Sequence, residues 1–140
     1  MRFVLDNSVT MRWLLQDGSR DRIAYSDSIL ALMAQGDTEA VVPGIWPLEV
    51  ASVILKAESS RIVDEARTTA FVGLLEAMPI TVDDHTAANA LSDCLQLARR
   101  YKLSSYDASY LELALREGLP MATLDGDMRK ALAKAGVPLA

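Results

Sequence analysis

The sequence has very little cysteine and no long apolar run. Cys94 is the single cysteine among 140 residues, so no internal disulfide can form and the fold cannot depend on an oxidising compartment. Every apolar stretch is well short of the roughly 20 residues that a membrane span needs, and we find no signal-peptide pattern at the start. These absences exclude a disulfide-rich secreted protein and predict a soluble, cytoplasmic protein with no membrane partner.

Positive charge is also scarce. Lysine and arginine total 14 against 19 acidic residues, which gives a formal net charge of −5. A protein of this balance is not held on a polyanion by broad charge attraction, so binding of nucleic acid would need another source of positive charge. The chain is 51% hydrophobic, and at this length we expect one domain over residues 1–140 with a substantial core.

Short apolar runs alternate with segments of helical periodicity. The runs predict strands over residues 3–5, 40–44, 80–82 and 121–124, and a terminal edge strand over 137–139. Helices are predicted over residues 21–35, 48–57, 63–77 and 127–135, with others after Asn7, Asp84 and Ser104. This alternation predicts an α/β fold with a parallel sheet, whose ligands bind at the carboxyl ends of the strands.

Acidic residues recur at those strand ends and at the starts of helices. A cap or the helix dipole explains each of them alone, although Glu49 interrupts an apolar helix whose surface we expect to be mostly buried. If these acidic side chains gather at one sheet edge, their mutual repulsion requires cations for neutralisation. Carboxylate oxygens favour Mg²⁺ or Mn²⁺ as those cations. Their number equals the chain's net negative charge: Asp6, Glu49, Asp107, Asp125 and Asp127.

Four ordered segments, 4–8, 47–52, 106–114 and 122–127, together resemble the PIN domain family, and more narrowly the VapC-type toxin ribonucleases. The resemblance implies a three-layer α/β/α sandwich with a central parallel sheet of order 3-2-1-4-5. It also implies that Asp6, Glu49, Asp107 and Asp125 form the metal site, with Asp127 as an additional acid. Asn7, Ser8 and Thr123 fall where polar residues support the acids. Whether Asp125 or Asp127 lies closer to the metal, and whether one ion or two bind, stays open.

The implied activity is Mg²⁺-dependent hydrolysis of RNA phosphodiester bonds by the toxin of a toxin-antitoxin module, with Mn²⁺ able to substitute. A small antitoxin and a second copy of the chain are the implied protein partners. Basic side chains near the acids are candidate RNA contacts, although solvated helix faces explain them more simply: Arg99, Arg100, Lys102 and Arg129.

Two other functions remain open at this point. A PIN-like module could bind RNA or protein without cutting. A haloacid-dehalogenase-like phosphatase would use Asp6 as its nucleophile, but that motif needs a second aspartate where Ser8 stands.

Overall fold

All four strands of the central sheet run parallel. The computed structural model describes residues 1–140 and contains β1 (Arg2–Leu5), β2 (Glu39–Val42), β3 (Ile80–Val82) and β4 (Met121–Ala122). Their spatial order is β3-β2-β1-β4, which confirms the predicted order for these four.

The predicted fifth strand is reduced to a single parallel bridge between Met121 and Leu139. The Met121 N–H donates to the Pro138 carbonyl at 3.0 Å, and the Ala140 N–H donates to the Met121 carbonyl at 2.9 Å. Because proline has no N–H to donate, residue 138 cannot take a full part in the ladder. The chain end therefore occupies the predicted fifth position without forming a regular strand.

Helices cover both faces of the sheet. Right-handed crossovers place the β1–β2 and β2–β3 connections on one face and the β3–β4 connection on the other. A π-helical segment, Ala90–Cys94, joins α5 to α6. The helices are α1 (Asn7–Leu15), α2 (Arg20–Met33), α3 (Trp46–Ser59), α4 (Glu65–Ala77), α5 (Thr86–Asn89), α6 (Leu95–Tyr101), α7 (Ser105–Glu117) and α8 (Gly126–Ala135).

Local signals set several helix ends. Ser104 Oγ accepts the Asp107 N–H at 3.1 Å and Asp125 Oδ1 accepts the Asp127 N–H at 3.0 Å, so these residues cap α7 and α8. Gly118 and Gly136 end the same two helices at φ of +64° and +75°, a conformation that glycine adopts without strain. These boundaries match the predicted ones because they depend on neighbours in the sequence.

The strands form the centre of one contiguous apolar core. Phe3, Val4 and Leu5 of β1 are fully buried, as is Tyr110 of α7. The core takes in side chains from both helical layers, as expected for a sheet covered on both faces. No helix of the structure is both long enough and apolar enough to span a bilayer.

Helix α3 buries only one side, so the expectation that most of its surface is hidden is wrong. Leu48 and Leu55 are 72% and 65% exposed. The helix lies on the outside of the sheet, where a single stripe at intervals of three or four residues can face the core. That stripe consists of Trp46, Val50, Ile54 and Ala57.

An exposed arginine, Arg116, joins α7 to the β3–α5 connection by pairing with two carboxylates, and these residues are here called the arginine cluster. Arg116 donates from Nε to Glu112 Oε1 at 2.7 Å and from Nη2 to Asp83 Oδ2 at 2.8 Å. The side chains of Glu112 and Asp83 are 5% and 7% exposed. Burial raises the pKa of Asp83, but the hydrogen bonds and charge of Arg116 outweigh it, so its pKa is lowered overall.

Candidate metal centre

Four helices begin at the carboxyl edge of the sheet, and each brings a carboxylate there. Asp6 directly precedes α1, and Glu49 lies in the first turn of α3. Asp107 lies in the first turn of α7, while Asp125 caps α8 and Asp127 follows in its first turn. Backbone N–H groups at helix N-termini favour acidic side chains. The structure thus gathers the five predicted acids, here called the edge acids, around one edge.

Asp6 is the most tightly held of the edge acids. It is 5% exposed, and its Oδ2 accepts the hydroxyls of Ser8 at 2.6 Å and Thr123 at 2.8 Å. The two hydroxyl oxygens in turn accept the N–H groups of Leu124 at 3.0 Å and Asp125 at 3.1 Å. Neither hydroxyl contacts Asp6 Oδ1. This network fixes the β1–α1 turn against the β4–α8 turn and leaves one oxygen of Asp6 for another partner.

Tyr110 holds Glu49 in place, and the sequence reasoning missed it. Its hydroxyl donates to Glu49 Oε1 at 2.5 Å, which leaves Oε2 free. Burial, the charge of Asp6 and the contact with Glu49 raise the pKa of Tyr110, so the phenol stays a donor. Tyr110 follows Asp107 by three residues, which places both on one face of α7. This spacing of three residues is the sequence signal from which Tyr110 could have been predicted to lie near the edge acids.

The edge acids interact through their charges. Burial raises the pKa of Asp6, and the charge of Asp125 adds to that effect. Burial also raises the pKa of Glu49 and of Asp107, and in both the charge of Asp6 contributes in the same direction. In each of these carboxyl groups the ionised form is therefore disfavoured, both by desolvation and by the negative charge of its neighbours.

The oxygens at this edge suit a hydrated hard cation. No three acidic, histidine or cysteine side chains are spaced to ligate one ion directly. Mg²⁺, however, keeps several of its waters and is usually bound by only one or two carboxylates together with substrate phosphates. In Asp6, Glu49 and Asp125 one carboxylate oxygen accepts these hydrogen bonds, and the second oxygen can contact a cation or its waters. The donor set is all oxygen and mutually repulsive, so it fits Mg²⁺ or Mn²⁺.

The three predicted supporting residues differ in what they contact. Ser8 and Thr123 both donate to Asp6. Asn7 is half-buried, and its Oδ1 is buried without a hydrogen-bond partner. Its amide therefore does not support an acid in the way the other two side chains do.

The predicted basic residues separate into two groups. Arg129 donates from Nε to the Thr123 carbonyl at 2.8 Å, and its guanidinium lies 4.9 Å from the centre of the Tyr25 ring. Arg129 thus fastens the end of β4 to its surroundings. Exposed side chains at and just after the end of α6 form the other group: Arg99, Arg100 and Lys102.

Two solved structures share the fold at low sequence identity. A chain of VapBC2 from Rickettsia felis, crystallised with a DNA fragment from its promoter, aligns with a TM-score of 0.69 at 11% identity, covering 100% of this chain and 98% of that one. PAE2754 from Pyrobaculum aerophilum aligns with a TM-score of 0.60 at 18% identity, covering 94% of this chain and 87% of that one. No curated protein matches the sequence significantly.

The comparison with protein families gives the assignment directly. The family described as PIN domain matches residues 3–133, which include all five edge acids. PIN domains are typically metal-dependent nucleases, and their nucleases generally use a divalent metal. The match accounts for the Asp6 segment, on which the phosphatase alternative depended. By sequence and by fold, this chain belongs to the PIN domain family.

Proposed function

We propose that the protein is a Mg²⁺- or Mn²⁺-dependent endoribonuclease and the toxin of a VapBC-type toxin-antitoxin module. One observation carries the proposal: the edge acids surround a single sheet edge, and no basic side chain forms an ion pair with any of them. A carboxylate cluster of this kind is stabilised by a divalent cation. The cation would also bridge the acidic protein to the anionic RNA, which answers the objection raised by the net charge.

Each edge acid has a separate task in this proposal. Asp6 and Asp107 hold the principal metal, in part through its bound waters, and Asp125 with Asp127 completes this site or a second one. Glu49, held through Oε1 by Tyr110, orients the attacking water with its free oxygen. When bound, the divalent cation lowers the pKa of water and neutralises charge on the attacked phosphate. Ser8 and Thr123 keep Asp6 in one orientation.

The partners follow from the same proposal. The similar VapBC2 structure is a toxin-antitoxin complex, which supports a small antitoxin as the partner that blocks this site. We propose a homodimer in solution and RNA backbone contacts from Arg99, Arg100 and Lys102. Growth arrest on expression tests the toxin assignment, and any small protein encoded next to this gene should relieve the arrest when it is co-expressed. Growth unaffected by expression would contradict it.

Cleavage assays test the ribonuclease assignment. The purified protein should cut RNA with Mg²⁺ or Mn²⁺ and stop when a chelator is added. Asp6→Asn and Asp107→Asn should each lose on the order of 100- to 1,000-fold in rate, as for other groups that stabilise transition-state charge. Asp84→Asn is the matched control, since that side chain is 90% exposed and lies outside the edge acids.

Two results would overturn the assignment. Full activity in Asp6→Asn would show that these carboxylates do not hold the metal. RNA binding without cleavage under any metal condition would identify a non-catalytic module instead.

A further inference from the structure

A surface depression adjoins the edge acids, with a cavity volume of about 480 Å³. That volume lies within the roughly 300–1,000 Å³ of small-molecule sites. Glu49 belongs both to its wall and to the acidic cluster. Two other wall residues, Asn7 and Tyr106, directly precede or follow edge acids in the chain. A group bound in the depression would therefore lie beside whatever the acids hold.

The walls of the depression are apolar in a part of the molecule that is otherwise acidic. Tyr106 and Leu48 are 61% and 72% exposed, and Ile45 and Val53 complete the apolar lining. The core does not explain the exposed pair, since α3 and α7 bury other faces. An exposed aromatic ring with aliphatic neighbours offers a flat surface on which a nucleobase can stack.

Polar groups in the same walls have unused hydrogen-bonding capacity. Ser52 is exposed, and its hydroxyl makes no hydrogen bond within the protein. Asn7 Oδ1 is buried and unpaired, so the amide N–H of Asn7 is the part of that side chain that can reach a bound group. An amide N–H donates and a hydroxyl both donates and accepts, so together they can meet the polar edge of a nucleobase. The carboxylate of Glu49 repels a second phosphate, so a base fits this position better than the RNA backbone does.

We propose that this depression, between α3 and the start of α7, binds one nucleobase beside the cleavage site at the edge acids. Tyr106 stacks on the base, Leu48 and Val53 cover its edge, and the Asn7 amide N–H with the Ser52 hydroxyl contacts its polar atoms. These side chains then determine which nucleotide stands beside the cleaved bond. The inference rests on the proposed ribonuclease function and adds a specificity site to it.

Abasic RNA tests the stacking interaction. With the wild-type protein, removing the base at one position beside the cleavage site should lower kcat/KM about 5- to 100-fold, the usual range for a lost stacking contact. Tyr106→Ala should show a similar loss on intact RNA and little further loss on abasic RNA. Tyr106→Phe should keep near wild-type behaviour. Leu91→Ala, on a leucine that is 89% exposed elsewhere, should change neither substrate's rate.

A binding measurement separates this inference from the ribonuclease proposal. An oligonucleotide with 2-aminopurine at the sensitive position is mixed with Asp6→Asn, which should cleave it too slowly to affect the measurement. Stacking quenches the fluorescence, and the added Tyr106→Ala change should abolish the quenching. If the wild type cleaves no RNA, the ribonuclease proposal fails, whereas quenching that requires Tyr106 still supports the base site.

Three outcomes overturn the base site. The first is a Tyr106→Ala variant with unchanged kcat/KM and unchanged quenching. The second is a variant that loses activity yet keeps the full abasic penalty, which would indicate a structural role for the ring. The third is dissociation of an oligomer by Tyr106→Ala or Leu48→Ala in light-scattering measurements, which would identify this surface as a protein interface.

Discussion

The chain gathers carboxylates in two places and neutralises them in different ways. In the arginine cluster, Arg116 donates to both Glu112 and Asp83. At the sheet edge, Asp6 accepts hydroxyl hydrogen bonds from Ser8 and Thr123, Glu49 accepts one from Tyr110, and neither forms an ion pair with a basic side chain. The compensating charge is therefore part of the chain in the first region and is not supplied by the chain in the second.

The pKa directions follow this difference. Arg116 lowers the pKa of Asp83 despite its burial, whereas burial and the charge of Asp125 raise the pKa of Asp6. A cluster that carries its own cation stabilises the fold at neutral pH, and a cluster without one stores repulsion that an external cation can relieve. The second arrangement suits a site for a metal and a phosphate.

Removing the arginine should produce the largest change in stability. Arg116→Ala leaves two largely buried carboxylates without their cation, and we expect the free energy of unfolding to fall by about 3 kcal/mol. This is the low end for breaking a buried pair, because Arg116 itself is exposed. Denaturant titration measures the change. The triple variant Arg116→Met, Glu112→Gln and Asp83→Asn should recover most of it, because no charge is then left without a partner. A loss below about 1 kcal/mol in the single variant would mean that Arg116 is not needed to neutralise the two carboxylates.

Adding a divalent cation should stabilise the edge acids and not the arginine cluster. At a free metal concentration 100 times the Kd, ligand linkage stabilises the native state by about 2.7 kcal/mol. We expect Mg²⁺ or Mn²⁺ to raise the melting temperature of the wild type and of Asp83→Asn, with little effect on Asp107→Asn. An equal rise in all three proteins would contradict a metal site at the edge.

Hydroxyl groups allow a finer comparison of the two regions. Ser8 donates to Asp6 at 2.6 Å, and Thr86 donates to Asp83 at 3.3 Å. Loss of a group that orients a metal ligand typically weakens metal binding 10- to 100-fold. Ser8→Ala should therefore raise the Kd for Mn²⁺ by that factor in calorimetric titration, while Thr86→Val should leave it unchanged. Equal affinities in the two variants would show that Asp6 needs no such support.

The pH dependence of stability should have opposite signs in the two regions. The folded-state pKa of Asp6 lies above the ordinary aspartate value of 3.8, so its favourable contribution is complete at low pH and is lost as the pH rises through the folded pKa. For Asp83 the folded pKa lies below 3.8, so its contribution is present above that value and is lost as the pH falls.

Metal-free unfolding curves between pH 3 and pH 7 measure this smaller effect. Relative to the wild type, the free energy of unfolding of Asp6→Asn should increase as the pH rises. That of Asp83→Asn should decrease over the same range. Parallel curves for the two variants would contradict the assigned directions.

The strands and most helix limits could be predicted from the sequence because they depend on close neighbours. The Ser104 cap, the Gly118 stop and the apolar residues of β1 are each visible in a few adjacent letters. The edge acids could be located as well, since the carboxyl ends of parallel strands share one edge. Burial along α3 could not, because an apolar run does not reveal how many sides of a helix find a neighbour.

Contacts between segments that are distant in the chain also could not be predicted from the sequence. Tyr110 and Glu49 are separated by 61 positions, and Arg116 and Asp83 by 33. Pairs of this kind depend on the packing of α7 against the rest of the fold. The sequence by itself determined the first four strands and most of the helices, their alternation, and the identity of five acids that account for the net charge.

Only the tertiary structure decided how those acids are held and which carboxylates receive an internal cation. It brought Ser8 and Thr123 to the same oxygen of Asp6 across 115 residues of chain, and it placed Arg116 at the other cluster. The physical reason is that caps and strand propensities act over a few residues, whereas desolvation and charge pairing depend on distances that exist only after the chain has packed.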